Sequence, residues 1–178
     1  MSARQARAAV YLRPPQASDQ ADFLAAALAS RALHRPWVSA PSDAAAFASY
    51  LKRSQQPDFA GLLICRRSDD ALAGVINVSQ IVHGPFRSAY LGYYAFQPLC
   101  GQGYMTAGMK LLLRHAFTKL RLHRVEANIQ PGNVASLALA RRCGFRQEGF
   151  SPRYLKVGGR WRDHERWALT IEDWRALR

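Results

Sequence analysis

The stretch YLGYYAFQPLCGQGYMTAGM, Tyr90 to Met109, constrains this chain most. An apolar, aromatic run leads through Gly101-Gln102-Gly103 straight into a helical pattern. Strand, glycine loop and helix start, in that order, build an anion site. Glycine has no Cβ, so the backbone can come close to a phosphate, and the unpaired N–H groups of a helix's first turn point at it with the helix dipole behind them. The same glycine pair also opens helices that hold no ligand.

The rest of the chain divides by hydrophobic period. Val10-Tyr11-Leu12-Arg13 before Pro14-Pro15 reads as a short first strand. Ser18 or Asp19 caps a helix continuing to Ser30, with Phe23, Leu24, Ala27 and Leu28 on one face. A loop with Pro36-Trp37 follows, and Pro41-Ser42-Asp43 opens a second helix with Phe47, Tyr50 and Leu51 inward. Phe59 to Arg66 and Ala71 to His83 are strands joined by the hairpin signal Ser68-Asp69-Asp70, and Gly84-Pro85 turns the chain into a strand from Ser88 to Phe96. From Tyr104 to Leu120, Met105, Met109, Leu112, Ala116 and Leu120 recur at helical spacing with Lys110, Arg114 and Arg121 opposite, which predicts an amphipathic helix packed on a sheet. Val125 to Ile129 is a strand, Asn133 starts a short helix closed by Gly144, and a last pair of strands turns at Gly158-Gly159.

Composition narrows the class. The 178 residues fit one domain, 1–178, and 49% apolar residues are ample for its core. No run of about 18 apolar residues occurs, and MSARQARAAVYLRPP lacks an apolar signal core, so the expectation is a soluble, cytoplasmic protein with no membrane contact. Cys65, Cys100 and Cys143 suit neither a disulfide framework nor a CxxC metal site and read as buried or idle thiols. Five scattered histidines form no HxxxH pair, so no metal is expected.

A second segment, VEANIQPGNVASLALARRCGFRQEG, carries Asn133, Ser136, Gly144-Phe145 and Glu148-Gly149. Together the two segments resemble the GNAT superfamily of N-acetyltransferases: the first looks like its acetyl-CoA pyrophosphate loop, the second like its strand, Asn-x-x-Ser helix and Gly-Phe exit. The similarity narrows to the RimJ/RimL type of ribosomal-protein N-terminal acetyltransferases through Arg35-Pro36-Trp37, Gly74-Val75, Tyr90-Leu91-Gly92-Tyr93 and Gly159-Arg160-Trp161-Arg162-Asp163-His164. It therefore covers nearly the whole chain. The resemblance implies the GNAT fold, of α/β (α+β) class: a single mixed, mostly antiparallel sheet, splayed at its centre and flanked by helices.

It also implies a site. Acetyl-CoA would insert its pantetheine arm beside Tyr93, Tyr94, Ala95 and Phe96, pairing like an extra strand. Gly101, Gln102, Gly103, Tyr104, Met105 and Thr106 would carry the pyrophosphate, although Pro98 stands where the superfamily has Arg or Gln. Asn133 is either a cofactor contact or only a helix cap. Ser136 either protonates the leaving thiolate or is a small helix residue. The implied reaction is attack of a neutral amine on a thioester carbonyl, with the oxyanion stabilised by backbone N–H groups. No carboxylate stands out as its base: Glu126 lies on the strand beside the site, and Ala107 holds a place where relatives often carry Glu. Tyr94, His164, Glu165 or a held water are the other candidates. On the acceptor side Trp37 either resembles a channel residue or anchors its own loop in the core, with His83 and Tyr154 expected in the facing wall.

The net charge of +13 rests on 25 basic residues against 12 acidic ones. Between Asp70 and Glu126 there is no acid, while Arg87, Lys110, Arg114, Lys119, Arg121 and Arg124 lie there. A positive field concentrates the CoA phosphates, and its surplus suggests ribosomal RNA as a partner; a solvated, arginine-rich face is the other reading. An α-amine, with a pKa of about 7.7–8, is roughly one-tenth neutral near pH 7 and needs little help from a base. The function expected is thus acetyl transfer to the N-terminus of a ribosomal protein starting with Ala or Ser. Its rivals are acetylation of a small amine, such as an aminoglycoside or polyamine, and a catalytically idle module that binds RNA or the ribosome.

Overall fold

The computed structural model describes residues 9–177, so most of the charged N-terminal segment lies outside the described residues. Among the described residues seven strands form one sheet in the order β1-β2-β3-β4-β5-β7-β6. They are β1 (Val10–Arg13), β2 (Phe59–Arg66), β3 (Leu72–Val82), β4 (Ser88–Ala95), β5 (Arg124–Ile129), β6 (Arg146–Val157) and β7 (Arg160–Thr170). Only β4 and β5 run parallel; every other neighbouring pair is antiparallel. The mixed, mostly antiparallel sheet flanked by helices is the architecture expected.

Helices cover both faces. On one lie α1 (Gln20–Ala29), α2 (Arg31–His34) and α3 (Ala44–Ser54), enclosing Phe23, Phe47, Tyr50, Leu63, Val75, Tyr94 and Phe96. On the other, α4 (Tyr104–Thr118) and α5 (Val134–Arg142) bury Met109, Leu112, Leu113, Ala116 and Leu137 over Ile64, Ile76 and Val125. Helical spacing on α4 thus meets strand alternation on β5, whose Val125, Ala127 and Ile129 face the same core. Gly108 lets α4 come close: a Cβ there would stand 2.5 Å from Ile64 Cδ1.

Three details differ from expectation. Asp19 takes the N-cap position of α1 but makes no side-chain cap there: it ends a single 3₁₀ turn (Ala17–Asp19), and its carboxylate holds Arg13 at 2.6 Å and accepts the Gln16 N–H. Leu28 is 70% exposed, since the inward face of α1 is carried by Phe23 and Ala27, the residues buried on it. A further helix, α6 (Ile171–Ala176), follows β7 and packs Trp174 against Phe117, with ring centroids 5.3 Å apart. Its start was legible in Thr170 and Asp173, since the Thr170 side chain accepts the Asp173 N–H.

Candidate active site

The site begins where two strands part. β4 and β5 pair only through Ser88, Ala89 and Tyr90 with Arg124, Val125 and Glu126. Beyond that point β4 stays on β3 and β5 on β7, and a cavity of about 780 Å³ opens between them. Phe96 N–H donates to Ala73 O at 2.9 Å, so by strand alternation the backbone groups of Ala95 and Tyr93 point away from β3, into the opening. One of these groups is occupied. His34, 5% exposed, places Nε2 2.8 Å from Ala95 O, and a carbonyl partner makes Nε2 the N–H-bearing nitrogen. Ser30 Oγ accepts the Gln97 N–H at 2.8 Å, so the corner between α1 and α2 fixes the end of β4.

That end feeds the glycine loop. Gly101 and Gly103 have φ of +78° and +88°, in the left-handed region that favours glycine, and there is open space where a Gly101 Cβ would stand. Gly103 is the N-cap of α4, with no side chain capping the first turn, so the N–H groups of Tyr104, Met105 and Thr106 have no intrahelical partner. Gly101, Gly103, Met105 and Thr106 line the cavity. Gln102 folds back onto Pro98 O at 3.1 Å, and the side chains of Tyr104 and Phe96 are buried in the two cores. Arg142, from the end of α5, donates to Thr106 Oγ1 at 3.1 Å and brings a guanidinium to the loop. Sequence reasoning missed this arginine because its neighbours along the chain point only to a helix end.

Asn133 and Ser136 come from the start of α5. Asn133 is its N-cap: Oδ1 accepts the Ser136 N–H at 3.2 Å. Ser136 Oγ lies 2.9 Å from the Tyr93 hydroxyl, joining α5 to β4 across the opening. Burial pushes the Tyr93 hydroxyl up to about 12, so it stays protonated at neutral pH. Asn133, Ser136, Tyr93, Tyr94 and Ala95 all line the cavity.

The candidate bases are more dispersed. Glu126 sits at the closed apex of the splay, outside the cavity lining, with Oε1 2.8 Å from Arg124 Nε. Tyr94 lines the cavity, but its ring packs against His34 and Phe96, its hydroxyl is buried without a partner and burial raises its pKa, so it stays a neutral phenol. Glu165 is held by Trp167 Nε1 at 3.0 Å. His164, 3% exposed, lines the cavity with Nδ1 3.0 Å from Arg162 O; desolvation lowers its pKa and keeps the ring neutral. Among the described residues lining the cavity there is no Asp or Glu.

On the acceptor side, Trp37 lines the cavity, accepts from Gln130 Nε2 through its carbonyl at 3.3 Å, and lays its ring tip over Gly132. The other two expected wall residues stand back. His83 is exposed beyond the end of β3, and Tyr154 lies behind His164, ring centroids 6.3 Å apart. The wall is built instead from Gln130, Asn128 and His164. No group of three or more potential metal ligands occurs among the described residues, and no helix among them is long and apolar enough to cross a membrane.

Known proteins share this arrangement. Residues 9–146 match the family model described as an acetyltransferase (GNAT) domain. The probable N-acetyltransferase YjcK of Bacillus subtilis (strain 168) is 33% identical over 124 residues, 70% of this chain and 68% of that protein. The ribosomal protein uS5 alanine N-acetyltransferase of Escherichia coli (strain K12) is 40% identical over 103 residues, 58% of this chain. That match spans about half, 53%, of the E. coli protein's length. Mycobacterium smegmatis RimJ, solved in complex with CoA-disulfide, superposes with a TM-score of 0.85 at 31% identity, covering 92% of this chain and 83% of that one. A splayed β4–β5 pair, an uncapped glycine-loop helix and a family match over most of the chain have one meaning: this protein belongs to the GNAT acetyltransferase family and is an acyltransferase.

Proposed function

We propose that this protein transfers the acetyl group of acetyl-CoA to the α-amine at the N-terminus of a protein, a ribosomal protein starting with Ala or Ser. The observation that carries this reading is the cavity wall without a carboxylate. A polycationic acceptor such as a polyamine or aminoglycoside calls for anionic walls, whereas this cavity carries His34, His164 and Arg142. An α-amine is already partly neutral near pH 7 and asks little of a base. The 40% identity with an enzyme named for alanine acetylation of uS5 supports the same acceptor.

The residues fit the co-substrate. Gly101, Gly103 and the first-turn N–H groups of α4 would receive the pyrophosphate with Arg142 alongside, and the backbone groups of Tyr93 and the Ala95 N–H, which His34 leaves free, would pair with the pantetheine arm. Acetyl-CoA supplies the activated acyl group and a thiolate leaving group. Ser136 and Tyr93 manage the proton: if their hydroxyls reverse direction, Tyr93 donates to Ser136 Oγ and Ser136 O–H turns into the cavity. Asn133 holds the start of α5 so that Ser136 faces that point. His164, neutral and cavity-lining, would accept the proton of the incoming amine, directly or through water.

The test is thiol release from acetyl-CoA with Ala- and Ser-starting peptides against spermidine and kanamycin-like amines. Faster turnover of the peptides is expected. Faster turnover of the small amines overturns the reading.

A further inference from the structure

A second, smaller groove of about 270 Å³ adjoins the main cavity. The two share Trp37 and Gln130, and the smaller one adds Gly132, Trp161, Arg162 and Asp163. Arg162 is the unusual member. Its Nε is buried with no hydrogen-bond partner, and among the described residues its guanidinium has neither a hydrogen bond nor an ion pair. Arg13, Arg53, Arg66 and Arg124 each hold a carboxylate, whereas the other arginines without a partner keep their guanidinium nitrogens in solvent; among the described residues Arg162 is the one arginine with a buried, unpartnered nitrogen. The neighbouring Asp163 is already engaged, since Oδ1 accepts the Arg153 N–H at 2.7 Å from the bulged part of β6. Taking a guanidinium partly out of water without a partner is unfavourable, and an oxygen ligand recovers the loss.

The groove leads away from the reacting end. His164 lines the main cavity and Arg162 the smaller one, two residues apart on the same side of β7. Two residues of strand span roughly 6.6 Å, which is also two residues of an extended peptide. Trp161, 61% exposed, forms an aromatic wall beyond Trp37. We infer that Arg162 determines acceptor specificity by binding a carboxylate side chain at the second or third residue of the acceptor protein, with the chain lying between Trp37 and Trp161. The forked donors of arginine match a carboxylate in two parallel hydrogen bonds, and the same charge turns away acceptors with lysine there. This rests on the reading of the acceptor as a protein N-terminus.

The experiment uses the full chain, acetyl-CoA and Ala-starting pentapeptides amidated at the C-terminus, so that no terminal carboxylate competes. Glu or Lys is placed at the second or the third position, with an all-Ala peptide as reference. Glu at one of those positions lowers KM by about tenfold, Lys raises it, and kcat changes little. Arg162→Gln removes the spread between peptides, and Arg162→Lys keeps part of it. The KM for acetyl-CoA stays the same in both variants. Because the guanidinium has no partner to lose, Arg162→Gln melts at or above the temperature of the parent protein. Equal KM values across the peptides in the parent protein, an acid preference that survives Arg162→Gln, or a marked loss of melting temperature overturns the inference. Turnover of polyamines with none of any peptide overturns the acceptor reading itself, an outcome separate from turnover of all peptides alike.

Discussion

Ser136 Oγ stands 2.9 Å from the Tyr93 hydroxyl, and this contact joins the first turn of α5 to the strand that parts from its neighbour. Both side chains line the cavity, so the proton donor proposed for the leaving thiolate is held by the same strand that would pair with the pantetheine arm. Ser136→Ala is expected to lower kcat by about ten- to a hundredfold with little change in acetyl-CoA affinity. Tyr93→Phe keeps the serine but loosens it and gives a smaller loss in kcat. Single-turnover kinetics and calorimetric titration separate the two effects; equal loss in rate and affinity returns Ser136 to a helix-start role.

Gly103 tests the phosphate loop. At φ +88° a side chain is strained and adds bulk at the start of α4, so Gly103→Val weakens acetyl-CoA binding by at least about tenfold, or 1.4 kcal/mol. Gly84, at φ +73° with open space around it and outside the cavity, is the control. Gly84→Val carries a similar backbone strain and leaves the acetyl-CoA dissociation constant unchanged. A folded Gly103→Val protein that binds normally removes the assignment.

Gly132 tests the acceptor wall. A Cβ there would stand 3.0 Å from Trp37 Cη2, tighter than ordinary contact, so Gly132→Ala displaces the Trp37 ring. The expected result is a raised KM for the peptide with that for acetyl-CoA unchanged. A change confined to acetyl-CoA would move Trp37 to the other side of the site.

His164 gives stability a pH dependence. Desolvation holds its folded pKa below the ordinary value, so the unfolded chain binds its proton more readily. Stability therefore falls as pH drops below about 6.5, before the carboxylates of Asp19 and Glu148, held low by Arg13 and Arg124, protonate. Urea midpoints measured at about pH 7.5 and 5.5 should separate for the parent protein and lie closer together for His164→Gln, the remaining gap coming from His115, which desolvation also holds low.

Local signals in the sequence account for most of the fold. Alternation marks Val125, Ala127 and Ile129, helical spacing marks Met109, Leu112 and Ala116, and both agree with the observed core. Gly101 and Gly103 were legible as a loop because left-handed backbone calls for glycine. What stayed hidden depends on pairs distant in the chain. His34 reaches Ala95 across 61 residues, Tyr93 reaches Ser136 across 43, and Arg142 reaches Thr106 across 36. No periodicity carries such contacts. Tyr94 and Glu126 failed as clear base candidates for a related reason, since burial of one hydroxyl and the Arg124 partner of the carboxylate are set by packing.

The central claim is that an α-amine is the acceptor, and one measurement addresses it directly. An Ala-starting peptide that also contains a lysine is incubated with the protein and acetyl-CoA, and fragmentation mass spectrometry locates the acetyl group. Acetylation confined to the α-amine is the result expected. Acetyl on the lysine Nζ, or none on a peptide while a polyamine is acetylated under the same conditions, contradicts it.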